Sequence, residues 1–370
     1  MTAVLAVNAG SSSLKFALFG AGEPPARTLS GRFERIGLPG GSADHASCLE
    51  PLLQQVSGTG QTIAAIGHRI VHGGPHYIAS TKVTPELLAE LRRISPFDPE
   101  HLPAEIALIE AFAQRFPGLP QVACFDTSFH RDLPRVSRIL PIPRKYEAAG
   151  LHRYGFHGLS YEYLVNHLRR EPGGIPPRLV LAHLGNGASL AAVREGKGID
   201  TTMAFTPAGG IPMSRRSGDL DPGLVAYLAR AEGMTPRQFH EMVNTQSGLL
   251  GISETSPDVR DLLAHETDDV RAAEALAVFC YRVKQMIGAY AAALGGLDAL
   301  VFSGGIGENA AVIRARICDG LGFLGIELDP ARNAAHAPEI GRDGSRATVR
   351  VVKTDEEIQI ARSTREIVGR

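Results

Sequence analysis

Two stretches of the chain carry one pattern of apolar and polar positions. Val4 to Val7 are mostly apolar, residues 8–13 read Asn-Ala-Gly-Ser-Ser-Ser, and Leu14, Phe16, Ala17 and Leu18 are apolar around Lys15. Near the middle, Val180, Leu181 and Ala182 run into His183-Leu184-Gly185-Asn186-Gly187, and Leu190 to Val193 are apolar again. Each stretch predicts a β-hairpin. A hairpin turn that exposes backbone N–H groups and small hydroxyls suits phosphate. One in each half predicts two related lobes that close on a polyphosphate.

The surrounding periodicities complete two α/β lobes. Residues 26–36 supply a third strand, and residues 63–71 another, stopped by His72-Gly73-Gly74-Pro75. Helices are predicted over residues 85–94 and 104–116, the latter with Ile106, Ile109 and Phe112 at helical spacing. Residues 121–125 then form a buried strand that delivers Asp126 at its C-terminal end. The second lobe starts after Pro134 and repeats the pattern from Arg178. Its longest helix spans residues 269–294, with Leu276, Phe279, Val283, Ile287 and Tyr290 on one face and Gly295-Gly296 as the stop. A strand over residues 297–302 leads into a turn over residues 303–309, with a helix beginning near Ala310. The chain closes with a strand over residues 348–353 and a helix from about Glu356, for which Thr354 and Glu357 make a capping box. Strands mixed with amphipathic helices define an α/β class.

Composition narrows the function. At 370 residues the chain calls for two or three domains, given roughly 100–200 residues per domain. Hydrophobic residues make up 44% and charged residues 21%, as in ordinary globular proteins. The formal net charge is -1, which gives no basic field for nucleic acid or an anionic membrane, so any anionic ligand must be held by local cations. Cys48, Cys124, Cys280 and Cys318 are far apart and form no C-x-x-C pair, which argues against a zinc knuckle or a disulfide framework. The chain enters a strand at once and has no apolar run of about 18 residues, so a cytoplasmic protein is expected.

Three glycine turns end buried strands, at residues 8–13, 185–187 and 304–307, and none matches a P-loop or a full G-x-G-x-x-G fingerprint. A P-loop NTPase and a Rossmann dehydrogenase are both disfavoured. His68, His72 and His76 imitate a helical metal site, but Gly73-Gly74-Pro75 breaks any helix there. Arg69 in a buried strand reads equally as a structural ion pair or a functional cation, since buried charge is costly without a partner. Arg216 stands beside Arg215, as in many solvated surfaces, although Gly218 and Pro222 suggest an ordered loop. His130, His157 and His183 read as satisfied core histidines or as site residues.

The motifs lie in one order from end to end: Asn8-Ala-Gly-Ser-Ser-Ser-Leu-Lys15, Gly67-His-Arg-Ile-Val-His-Gly-Gly74, Phe125-Asp-Thr-Ser-Phe-His130 and Arg153-Tyr-Gly-Phe-His-Gly158. They continue with His183-Leu-Gly-Asn-Gly187, Arg216-Ser-Gly-Asp-Leu-Asp-Pro222, Gly305-Ile-Gly-Glu-Asn309 and Thr354-Asp-Glu-Glu357. In these stretches the chain resembles the acetate kinases, the acetate and propionate kinase group of the actin, sugar-kinase and heat-shock-ATPase superfold. The resemblance implies two duplicated ribonuclease H-like lobes with a central catalytic cleft. Residues 1–130 with 358–370 would form the lobe for acyl substrate and phosphoryl group, and residues 131–357 the lobe for nucleotide and dimerisation.

The activity implied is reversible Mg2+-dependent in-line transfer of the ATP γ-phosphoryl group to acetate, with Mn2+ as an alternative ion and a homodimer as the assembly. Arg69 and Arg216 would grip carboxylate and phosphoryl oxygens, His157 would stabilise the transition state, and Asp126 would orient an arginine or the metal. Val71, Phe156 and Pro207 would line the acid site with Arg69. The resemblance places Ser11, Ser13, Lys15, His183, Leu184, Gly185, Asn186 and Gly187 at the nucleotide phosphates. It places Asp258, Val259, Arg260, Gly305, Ile306, Gly307, Glu308 and Asn309 on the adenosine side, and Asn8 and Glu356 at Mg2+.

Two departures bear on the acid. Many relatives read Pro-Leu-His-Asn-Pro where this chain reads Pro99-Glu100-His101-Leu102-Pro103, so Glu100 replaces a pocket leucine unless Phe97 or Leu102 takes its role. Ser214-Arg215 stands where Gly-Thr is usual and adds a cation. Propionate, butyrate or another short acid is therefore an alternative substrate. A sugar or polyol kinase would need a carboxylate base for its hydroxyl, and an ATP-switched interaction protein would need a partner module; the motifs leave room for neither.

Overall fold

The computed structural model describes residues 2–10, 13–37 and 41–369, and the chain divides into two compact units. The first comprises Met1–Arg131, Phe156–Tyr163 and Asp355–Arg370, and the second Asp132–Gly155 and Leu164–Thr354.

The first unit is built on strands β1 (Thr2–Ala9), β2 (Ser13–Phe19), β3 (Arg27–Glu34), β4 (Thr62–Ile70), β5 (Thr81–Lys82) and β6 (Gln121–Phe125). Their order is β3-β2-β1-β4-β6-β5. β1, β2 and β3 form an antiparallel meander, β4 runs parallel to β1, β6 parallel to β4, and β5 antiparallel to β6. β1 is apolar almost throughout because both faces of the sheet are covered. Alternate residues serve the two cores. Leu5, Val7, Leu14 and Phe16 pack with Leu52, Leu108 and Phe112, whereas Val4, Ala6, Ala17 and Phe19 pack with Leu159, Ile360 and Ala361. Each such leucine or phenylalanine contributes about 1.5–3 kcal/mol of burial. The helix Glu356–Val368 lies so close to β4 that a Cβ on Gly67 would collide with Thr364 Oγ1 and Ile360 Cγ2. That close approach brings the helix N-terminus to the C-terminal ends of β1 and β4.

The second unit repeats the path with β7 (Arg178–Leu184), β8 (Ala188–Arg194), β9 (Lys197–Thr201), β10 (Ala299–Ser303) and β11 (Thr348–Val351), ordered β9-β8-β7-β10-β11. β7, β8 and β9 are an antiparallel meander, and β10 and β11 add in parallel. The helix Val270–Leu294 packs on β7 and β8. Its expected face, Leu276, Phe279, Val283, Ile287 and Tyr290, is buried. Asp269 caps it by accepting from Arg271 N–H, and Gly295 ends it at φ 75°.

Two local expectations are corrected. Residues 303–309 are not an open turn before a helix at Ala310: a short helix, Gly304–Asn309, starts directly from Ser303, breaks at Ala310, and is followed by Ala311–Cys318. Gly304 at φ 76° makes the sharp entry, and Glu308 Oε1 accepts its N–H at 2.9 Å. Nor do Thr354 and Glu357 form a capping box. Asp355 is the cap and accepts from Ile358 N–H at 3.0 Å, while Thr354 N–H goes to Glu308 Oε1 at 3.1 Å. The cap lies one residue later because the backbone of Thr354 is bound to Glu308 and the Glu357 carboxylate to Asn8.

Candidate active site

In the first unit, the candidate site residues gather at the carboxyl ends of the parallel strands, where open α/β sheets bind ligands. Asn8 ends β1, Arg69 lies near the end of β4, and Asp126 follows β6. Asn8 Nδ2 donates to Glu356 Oε2 at 2.8 Å and to Glu357 Oε1 at 3.0 Å, joining the two ends of the chain. Lys15 stands opposite Asn8 in the β1–β2 register, and its charge reaches both glutamates. Ser13 accepts Gly10 N–H at its carbonyl, and Ser11 falls outside the described residues.

Arg69 is a clamped cation. Its Nε and Nη2 donate to Asp126 Oδ2 at 3.2 and 2.7 Å, and its Nη1 to Ala9 O at 2.7 Å. Burial works against its charge, but Asp126, Glu105 and Glu356 outweigh that and hold it more firmly protonated than usual. Asp126 is 1% exposed, and its Oδ1 has no hydrogen-bond partner among the described residues. Burial pushes the Glu356 carboxyl up, as does the charge of Asp126, against Arg69, Asn8 and Lys15. Glu357 is likewise raised, by burial and then by Glu356.

Val71 is buried next to this arginine. The His72 ring lies against the rings of Phe97 and Phe156, each at 5.6 Å between centroids, and its Nδ1 accepts from Gly74 N–H at 2.8 Å. Glu100 is exposed, whereas Leu102 is fully buried. Phe97 and Phe156 thus share His72 as a ring neighbour. His157 adopts φ 58°, an uncommon left-handed conformation for a non-glycine residue. Gly158, directly after it, donates to Asp126 O at 2.8 Å, and a Cβ there would collide with that carbonyl. His130 is a core histidine: it is buried against Tyr161 and bonded to Phe156 O.

The second unit offers backbone where the first offers charge. His183 at the end of β7 is in register with Ser303 at the end of β10. In the hairpin turn Gly185 N–H donates to Gly187 O, and Gly304 crosses so close that its Cβ would sit 2.7 Å from Leu184 O. Ser303 Oγ is buried without a hydrogen-bond partner among the described residues. Glu308 is accounted for by the N–H groups of Gly304 and Thr354, and Asn309 Nδ2 donates to Gly305 O.

The Arg216 loop is tied to the same turn, because Ser214 N–H donates to Asn186 O at 3.2 Å. Arg216 Nη1 donates to Pro207 O at 3.2 Å, which puts these two expected residues side by side. Asp258 caps the helix Val259–His265 and pairs with Arg260 at 2.5 Å, while the Val259 side chain is core.

Two residues escaped the sequence reading. Glu105, on the helix Leu102–Arg115, accepts Val71 N–H and borders Arg69. Arg314 is fully buried, donating to Gly307 O and Glu308 O at 2.9 and 3.0 Å and to Asn333 at 2.8 and 2.9 Å. It binds the last carbonyls of the short helix, where the dipole favours a cation. Their signal in sequence was only a charged residue within an apolar helix.

Two sheets of one strand path, one ending in charge and the other in glycine turns, define an α/β chain of the actin-like ATPase superfold. A family model described as the Acetokinase family matches residues 3–362. A propionate kinase of Citrobacter rodentium is 43% identical, over 98% of this chain and 96% of the relative, and an acetate kinase of Rhodopseudomonas palustris is 43% identical over 97% and 96%. The solved acetate kinase of Porphyromonas gingivalis superposes with a TM-score of 0.90 at 35% identity, covering 100% of both chains. A propionate kinase structure from Francisella tularensis gives 0.92 at 35% identity, covering 99% of this chain and 100% of its own. The chain belongs to the acetokinase family.

Proposed function

We propose that the protein transfers the γ-phosphoryl group of ATP to acetate, giving ADP and acetyl phosphate in a reversible reaction. The observation that carries this reading is Arg69, a guanidinium only 14% exposed and fixed by Asp126 and Ala9 O, two residues before the buried Val71. A carboxylic acid with a solution pKa of about 4 is ionised at pH 7, so its attack on phosphorus needs no general base. What the chemistry needs is control of negative charge through an in-line transition state. Arg69 would receive the acid's carboxylate, and Asp126 orients that arginine. Arg216 would bind phosphoryl oxygens, and His157 would donate to them as their charge grows. Val71, Phe156 and Pro207 would wall the small alkyl group.

The nucleotide would be held by the second unit's turns: residues 183–187 at the phosphates and residues 305–309 with residues 258–260 around adenosine. Lys15 and Ser13 are the first unit's candidates for binding phosphate.

The residues present fit Mg2+. Asn8, Glu356 and the orphaned Oδ1 of Asp126 are hard oxygen donors, and the half-buried pair Glu356 and Glu357, both raised in pKa, calls for a cation. When bound, Mg2+ or Mn2+ would neutralise phosphate charge.

Assembly as a homodimer is part of the proposal. The helix Gly223–Glu232 buries none of its residues, yet it carries Leu224, Val225 and Tyr227, the last 60% exposed. Four buried free cysteines suit a reducing cytoplasm, and no described helix is long and apolar enough to cross a membrane.

The test is the purified protein with ATP, Mg2+ and hydroxylamine, which traps acyl phosphate as hydroxamate, across formate, acetate, propionate and butyrate. The highest kcat/KM is expected with acetate. A maximum at propionate would replace acetate by the second reading, which the likeness to the Citrobacter propionate kinase favours. No hydroxamate with any short acid would overturn the function.

A further inference from the structure

Glu105 is 2% exposed, and its two carboxyl oxygens lie 3.2 and 3.0 Å from Val71 N, whose N–H they accept. Its Oε1 is 3.5 Å from Arg69 Nη1, and the opposite edge of that guanidinium is held by Asp126. Two buried carboxyl groups thus border one cation, itself partly open to solvent. With both ionised, the cluster carries -2 against +1 and repels an anionic acid. With a proton on Glu105, Arg69 and Asp126 balance, and the guanidinium is open to a further anion.

We propose that Glu105 is a positioning residue for Arg69 and Val71, and that its ionisation sets how strongly this strand end attracts a carboxylate substrate. The inference rests on the reading of Arg69 as the cation that receives the acid.

The groups facing Glu105 come from every neighbouring element. β4 supplies Arg69, the end of β6 supplies Asp126, and the segment before its own helix supplies Asp98, which is paired with His101 at 2.7 Å. Burial pushes the Glu105 carboxyl up to about 8; Arg69 and Val71 N–H oppose this, and Asp98 and Asp126 add to it. Its change of charge therefore falls in the pH range of ordinary assays, where the acid itself stays ionised.

Glu105→Gln keeps the shape and can still accept Val71 N–H, but holds no charge at any pH. Steady-state constants for acetate and ATP are measured for both proteins between pH 7 and pH 9. In the parent protein the acetate KM should rise about tenfold across that range, because the neutral fraction of a group titrating at about 8 falls from about nine-tenths to about one-tenth. In Glu105→Gln it should stay flat, while the KM for ATP differs by less than about twofold between the proteins. An equal rise in both proteins, or a parallel shift of both KM values, would overturn the proposal.

Thermal unfolding gives a readout without turnover. A carboxyl raised in the folded state contributes stability that is present below its unfolded value, about 4.3, and is lost as pH climbs toward the folded one. The parent should therefore lose Tm relative to Glu105→Gln between pH 5 and pH 8. Glu356 and Glu357 are common to both proteins and cancel. A constant difference would overturn the role of Glu105 alone, whereas absence of turnover with every acid would overturn the function on which it rests.

Discussion

The two units end their parallel strands in opposite ways. At the ends of β1, β4 and β6 stand Asn8, Arg69 and Asp126, joined by Glu356 and Glu357 from a helix start. At the ends of β7 and β10 stand Gly185, Gly187, Ser303 and Gly304, with backbone groups turned toward one another. The strand path is shared, so topology supplies only the location. Side chains at the ends decide the chemistry. Ionised groups respond to charge that moves during a reaction, whereas glycine backbone fits a shape and supplies N–H donors.

Replacing the central cation should break this contrast most severely. Arg69→Ala leaves Asp126 and Glu105 buried without their partner, which costs about 3–5 kcal/mol when one member of such a pair is lost. Denaturant unfolding should report that loss, and hydroxamate formation should fall by a factor on the order of 10³. Arg216→Ala should cut the rate by about 10²–10³, because it removes a donor proposed to meet the growing phosphoryl charge. Near-normal turnover in Arg216→Ala would remove it from the site.

Smaller effects sharpen the second unit's side. Gly304→Ala puts a Cβ 2.7 Å from Leu184 O at φ 76°, at a cost of about 1–3 kcal/mol. Its kinetic signature should be a raised KM for ATP. Asp269→Ala removes a helix cap remote from both strand ends in sequence, so about 1 kcal/mol of stability should go with both KM values unchanged.

Much of this contrast is legible in the sequence, for physical reasons. Arg69 and Asp126 sit at the ends of apolar strands whose period-two or continuous burial is unambiguous, and the hairpin turns are marked by small residues. The pairing of Asn8 with Glu356 came from family resemblance, since nothing local links positions 348 apart. Glu105 was not legible. It stands beside Ile106 in an amphipathic helix, where an acid normally faces water, and only the fold turns it toward Val71. Arg314 was hidden the same way, its partners being carbonyls brought near by a short helix that glycine content had suggested was a turn. The cap at Asp355 rather than Thr354 shows the usual one-residue uncertainty of helix ends.

The proposed division between a charged strand end for the acid and a glycine turn for the nucleotide is tested most directly by the KM values of two variants measured side by side. Arg69→Lys keeps the charge but loses the fork that Asp126 holds, so the acetate KM should rise about tenfold or more with little change for ATP. Gly304→Ala should raise the KM for ATP and spare that for acetate. Both variants shifting the same KM, or the two responding in reverse, would contradict the division.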